Sequence, residues 1–255
     1  MPSPDDLHPT NDWTSHHGGD LLISLSEVHV WRVPLDCTEA VLRPLANTLS
    51  LEERTRAEKF FFDRDRNAYI TARGVLRQLL AHYLHRPPSE LQFGYQARGK
   101  PFLANPSADQ PLNFNVAHSR NIALLAFTAG PSVGVDVEFI RTDIASEEIA
   151  ARYFAPQEVA ELHALPAGQR PIAFFLGWTR KEAYVKALGD GLQIPLASFC
   201  VSLTPAQPAT LESADSSRWT LQNLSPGSGY AGALIAEGKD WTLRCFDWQG
   251  AQPEL

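Results

Sequence analysis

The run Val133-Gly-Val-Asp-Val-Glu-Phe139 alternates strictly, and only a strand puts every second side chain on the same face. As a strand it buries Val133, Val135, Val137 and Phe139 on one side and carries Asp136 and Glu138 together on the other. Further along, Trp178-Thr-Arg-Lys-Glu-Ala-Tyr-Val-Lys186 has helical spacing, with Trp178, Glu182, Val185 and Lys186 on one stripe and Phe175 beside them. Glu182 therefore lies inside an apolar face. A carboxylate there needs a partner, because burying an unpaired charge is costly. Two acids on one strand face and a third on a helix make an oxygen-rich set suited to a hard divalent cation such as Mg²⁺.

The chain has 255 residues, enough for one large domain or two smaller ones. Its 44% hydrophobic and 20% charged content is that of a soluble globular protein. No apolar run approaches the ~18 residues of a membrane span, so no membrane partner is expected. Cys37, Cys200 and Cys245 cannot all pair and have no zinc-type spacing, which fits a reducing cytoplasm. A net charge of −7 argues against general nucleic-acid binding. Yet residues 51–100 carry ten Lys or Arg against six Asp or Glu. A local basic surface on an acidic protein points to a small anionic ligand.

Residues 1–20 are rich in Pro, Asp, His and Gly and lack a secretory apolar core. They read as a disordered leader, with His16 and His17 solvated. An N-terminal α+β lobe is expected over 21–132 and a C-terminal α+β lobe, carrying the metal site, over 133–255. The first lobe reads as a strand at 28–33, a helix opened by the capping box Ser50-Leu-Glu-Glu53 and a long helix over 67–84, stopped by Pro87-Pro88. His82 and His85 read as surface residues of that helix. Strands follow near 91–95, 112–116 and 122–128, and Ala129-Gly-Pro-Ser132 turns the chain into the acidic strand. The second lobe reads as helices near 146–153, 156–165 and 171–188, then strands near 199–203, 219–223, 230–236 and 241–247. Residues 204–217, rich in Pro, Ala and Ser, read as an exposed loop.

With these elements in place the chain resembles a 4′-phosphopantetheinyl transferase of the surfactin-synthetase-activating type over roughly residues 25–235. The resemblance rests on Arg98-Gly-Lys-Pro101, Asn115-Val-Ala-His-Ser119, Val133-Gly-Val-Asp-Val-Glu138 and Trp178-Thr-Arg-Lys-Glu182 with Lys186 and Gly189-Asp-Gly-Leu192. It implies two similar α+β lobes related by a pseudo-twofold axis, with coenzyme A as co-substrate and Mg²⁺ between them. The implied reaction moves the phosphopantetheine arm onto a serine of an acyl or peptidyl carrier protein and releases 3′,5′-ADP, as a holo-[acyl-carrier-protein] synthase does. A cytoplasmic monomer is expected.

By the same resemblance Asp136, Glu138 and Glu182 are the metal ligands, and Glu182 is also the general base. Lys186 would contact the pyrophosphate, with Lys181 adding a further contact. Arg56, Lys100 and His118 match places that hold the nucleotide end, Gly99 and Pro101 shape the adenine side, and Arg73 and Arg98 complete the basic set. Many relatives have Ser where this chain has Ala117, so Ser119 or backbone would supply that phosphate contact. Taken singly, the two strand acids are an ordinary solvated face, and Glu182 with Lys186 an ordinary helix ion pair. Their joint occurrence, with Glu182 between apolar neighbours, favours a site. Two other functions use the same features: a Mg²⁺-dependent nucleotide hydrolase, and an inactive module that only binds carrier proteins.

Overall fold

A computed structural model describes residues 11–16, 21–96, 99–106, 111–144, 146–189, 194–205 and 207–250. The strands in chain order are β1 (Trp13–Ser15), β2 (Glu27–Pro34), β3 (Phe93–Tyr95), β4 (Pro101–Leu103), β5 (Asn113–Ser119), β6 (Ile122–Thr128), β7 (Val133–Phe139), β8 (Cys200–Val201), β9 (Leu211–Glu212), β10 (Trp219–Leu224), β11 (Tyr230–Glu237) and β12 (Thr242–Asp247). The helices are α1 (Glu39–Thr48), α2 (Leu51–Ala57), α3 (Asp63–Leu84), α4 (Ser146–Tyr153), α5 (Pro156–Ala164) and α6 (Arg170–Leu188).

Two sheets dominate, a five-stranded one in the order β1-β12-β2-β6-β5 and a three-stranded one in the order β10-β11-β7. Period-two patterning decides how they stack. Trp31 and Val33 of β2, with Leu125 and Phe127 of β6, face Val75, Leu79 and Leu80 of α3 in one core. The alternate residues Val28, Val30, Leu124 and Ala126 turn the other way and meet Val133, Val135, Val137 and Leu234 of the smaller sheet. On that sheet's far side Ala233 and Ile235 pack against Phe175, Ala183 and Tyr184 of α6. The result is helix, sheet, sheet, helix: two α+β lobes face to face, each backed by one long helix.

Two boundaries differ from expectation. Residues 11–16 are not a disordered leader: β1 pairs in parallel with β12, and the Trp13 indole donates to Ser225 O at 2.8 Å while lying under the Arg32 guanidinium. The His16 ring packs near Trp31 and Phe246 rather than in solvent. Residues 1–10 and 17–20 lie outside the described set. The C-terminal lobe does not run to the end of the chain either, since β12 crosses back to pair with β2 in the first sheet. The cause is the open edge of β2, whose amides and carbonyls need partners. Elsewhere α3 begins at Asp63, and His82 on it is buried rather than exposed. The 204–217 loop contains β9, and Asp215 within it accepts from the Trp219 indole at 2.9 Å.

One buried titratable group gives the fold a pH limit. His29 is buried against Tyr83, whose hydroxyl lies 2.7 Å from its Nδ1. Burial lowers its pKa from 6.5 to about 4, against Glu27, which favours the charge, and with Arg244 and His16, which oppose it. The folded state thus takes up this proton later than the unfolded chain. Its contribution is complete above about pH 6.5 and fades as pH falls toward 4, a loss of roughly 3 kcal/mol. Urea midpoints at pH 7 and pH 4.5 should therefore differ more in the native chain than in His29→Gln. Equal differences would assign the acid sensitivity to other groups.

Candidate active site

The acidic strand and the motif helix come together through Gly134. A β-carbon there would sit 2.0 Å from Ala183 O and 2.6 Å from Ala187 N, so any side chain would push α6 off β7. With α6 seated, Asp136 and Glu138 on β7 stand beside Glu182 and Lys186 on α6.

Asp136 is buried, and its Oδ1 accepts from Lys186 Nζ at 2.6 Å. The same ammonium lies 3.4 Å from Val135 O. Asp136 Oδ2 is buried with no hydrogen-bond partner. Desolvation pushes this carboxyl up to about 7; Lys186 opposes the shift, while Glu138 and Glu182 add to it. Glu138 and Glu182 are thus both near Asp136, and Lys186 is its cation. Among the described residues no three metal-type side chains already converge as a formed cluster; Lys186 instead satisfies one oxygen. The donor set and the orphaned Oδ2 nonetheless fit a hard divalent ion.

His118 lies at the solvent edge of this group. Its pKa is lowered, by desolvation first and then by the charge of Lys186, while Glu138 opposes the shift. The side chain is exposed, so that desolvation is only partial. Lys100 extends from the first lobe to Lys186 O at 2.5 Å and Val133 O at 3.4 Å, tying the end of α6 to the β4 region. With Pro101, Gln96, Val133 and Leu188 it lines a cavity of about 190 Å³. Gly99 is exposed with φ +81° and open space where a β-carbon would project, so it serves the turn closed by its amide on Gln96 O.

A second concavity, about 710 Å³, is lined by Arg56, Lys59, Tyr69, Tyr95, Glu53 and Leu51. Arg56 lies over the Tyr69 ring. Arg73 backs this wall rather than lining it: the side chain is buried, donates to Tyr95 Oη at 3.1 Å and sits 3.5 Å from Glu53 Oε1. Its Nη1 and the Tyr69 hydroxyl are buried without hydrogen-bond partners. Such donors beside Arg56 and Lys59 suit an anionic group.

Two expected ligand contacts are corrected. Lys181 points away from the acids: its ammonium is fully buried and bonds Glu158 Oε2, Leu196 O and Phe199 O, each at 2.7 Å. Ser119 spends its hydroxyl on protein, donating to Glu138 Oε2 at 2.9 Å. Ala117 packs in the core between the sheets rather than beside a phosphate position. Arg98 and residues 190–192 lie outside the described residues. Sequence reasoning misses Asn115, Tyr69, Tyr95 and Glu158. A polar Asn115 at a buried position beside Phe114 is the one legible signal among them.

The comparisons with known proteins agree with this architecture. A family model described as "4'-phosphopantetheinyl transferase superfamily" matches residues 132–235, and one described as "4'-phosphopantetheinyl transferase, N-terminal" matches 36–129. The chain is 40% identical over 222 residues to 4′-phosphopantetheinyl transferase HetI of Nostoc sp., covering 87% of this chain and 92% of that protein. It is 32% identical to 4′-phosphopantetheinyl transferase psf-1 of Bacillus pumilus, with 71% and 76% covered. It is 29% identical to 4′-phosphopantetheinyl transferase Sfp of Bacillus subtilis, with 76% and 84% covered. With both lobes matched and the acids, the lysine and the seam glycine in one place, the chain belongs to the 4′-phosphopantetheinyl transferase superfamily.

Proposed function

We propose that the chain transfers the phosphopantetheine arm of coenzyme A to a serine of an acyl or peptidyl carrier protein, releasing 3′,5′-ADP. The observation that carries this reading lies between β7 and α6, where Lys186 bonds one oxygen of the buried Asp136, the other oxygen has no partner, and Glu138 and Glu182 are close enough to push the Asp136 carboxyl up. Asp136, Glu138 and Glu182 would hold Mg²⁺, which when bound neutralises charge on the pyrophosphate oxygens. Glu182 takes the proton of the serine hydroxyl as its oxygen bonds to the phosphorus that bears pantetheine. The bond from that phosphorus to the bridging oxygen breaks, and the electron pair leaves with 3′,5′-ADP. Lys186, freed from Asp136, stabilises charge on the phosphates. Arg56, with Lys59 beside it and Arg73 behind, offers the anionic nucleotide end a basic wall, and Lys100, in the neighbouring cavity, and His118, near Lys186 and Glu138, add further contacts.

The chain is read as acting alone in a reducing cytoplasm. Its three cysteines are free, and among the described residues no helix is long and apolar enough to cross a membrane. Incubation with coenzyme A, Mg²⁺ and apo-carrier proteins of the fatty-acid, polyketide and nonribosomal-peptide classes should give a phosphopantetheine-sized mass gain on the carrier. Release of 3′,5′-ADP without a carrier would favour a hydrolase instead. Carrier binding with neither product would favour the inactive module.

A further inference from the structure

The two sheets meet at their edges as well as their faces. β5 ends the five-stranded sheet and β7 ends the three-stranded one, and the two are not ladder partners. The amides of β7 still need acceptors. Side chains of β5 supply them: Asn115 Oδ1 accepts from Val135 N at 2.8 Å, and Ser119 Oγ accepts from Phe139 N at 3.1 Å. Donor and acceptor positions have the same spacing on both strands, so Asn115 and Ser119 act as two rungs between the lobes.

Ser119 does more than close a rung. The hydroxyl has one proton, and it is directed at Glu138 Oε2, 2.9 Å away. The amide of Phe139, fixed in β7, sets where the hydroxyl oxygen sits, and the proton then holds one oxygen of the neighbouring carboxylate. Glu138 is therefore oriented by the opposite lobe. We infer that Ser119 is a positioning residue for Glu138, holding that carboxylate in the orientation needed to ligate a divalent cation across the seam. The inference rests on the metal reading given above. It makes metal binding depend on the contact of β5 with β7. A carboxylate ligand held from behind by a hydrogen bond binds its ion more tightly than one free to rotate.

The test is direct Mn²⁺ binding, followed by electron paramagnetic resonance on the full chain saturated with coenzyme A. Ser119→Ala should weaken Mn²⁺ by about 10- to 100-fold, with coenzyme A affinity in the absence of metal changed less than about threefold. Ser119→Thr, which keeps the hydroxyl and suits a strand, should return Mn²⁺ affinity to within about threefold of the native chain. In a Glu138→Ala background, Ser119→Ala should change Mn²⁺ affinity no further, because the carboxylate it positions is gone. Native-like affinity in Ser119→Ala overturns the inference, as does equal loss in the Thr variant. If Ser119→Ala does not fold, Ser119→Cys replaces it: a thiol of similar size and weak donor strength should give an intermediate loss, and full affinity there would overturn the inference. A native chain that binds no Mn²⁺ beside coenzyme A would remove the metal reading itself, a result distinct from native binding unaffected by Ser119.

Discussion

Glu182→Gln is expected to stay folded, to bind coenzyme A within roughly tenfold of the native affinity, and to transfer at least about 100-fold more slowly. The substitution nearly preserves size and keeps one oxygen at a half-buried position of α6, so the helix packing is retained. What it removes is a basic carboxylate, and loss of a general base typically costs about 10² to 10⁴ in rate. It also removes one negative charge from beside Asp136, whose carboxyl is pushed up partly by Glu182. Asp136 should then ionise more readily. The variant thus separates two roles: a pure ligand role for Glu182 would be partly offset by the better ionised Asp136, while a base role would not. Lys186→Ala should behave differently, weakening coenzyme A binding as well as rate, because its ammonium acts on phosphate charge in the ground state too. Single-turnover transfer to saturating carrier, with coenzyme A affinity measured separately, decides. If Glu182→Gln keeps more than about a tenth of the rate, another group takes the proton.

The acids are legible because each lies in an element whose period is unambiguous. Val133, Val135 and Val137 go to the inter-sheet core as alternation requires, leaving Asp136 and Glu138 available to α6. The helix follows likewise from Trp178, Glu182 and Lys186. Misreadings arise where burial depends on distant chain. β1 is three residues long and carries no period of its own; it exists because β12 offers an edge. β12 reads correctly as a strand, but nothing local says which sheet it joins. Ser119 looks like a phosphate ligand because the carboxylate it holds lies on a strand of the other lobe. That Arg73 stands behind the basic wall, between Glu53 and Tyr95, is likewise set by contacts with distant residues. Lys181 is misplaced because an amphipathic reading gives α6 a wet side. In fact Ala173, Gly177, Arg180, Lys181 and Tyr184 are all buried, the sheet covering one face and the segment around Phe199 another.

That burial makes Lys181 the position where sequence and structure diverge most in measurable terms. Its side chain is 0% exposed and that of its partner Glu158 is 1% exposed. Glu158 also accepts from Ala155 N and Val201 N, both at 2.8 Å, so one carboxylate ties the start of α5 and β8 to the middle of α6. Desolvation lowers the Lys181 pKa, and Glu158 acts against that shift. Lys181→Ala leaves the carboxylate buried without its cation and frees two carbonyls, Leu196 O and Phe199 O, from their donor. Breaking a buried pair in this way costs about 3 to 5 kcal/mol, a large share of the ~5 to 15 kcal/mol that holds a typical domain. The urea midpoint should fall accordingly, while coenzyme A affinity of the remaining folded protein stays near native. Removing both charges together, as Lys181→Met with Glu158→Gln, should recover part of the loss, because Gln still offers an oxygen to one amide and no ion is left unpaired. A phosphate ligand would give the opposite pattern, with unchanged stability and weakened coenzyme A binding. That outcome would return Lys181 to the active site and require its ammonium to leave Glu158 when substrate binds.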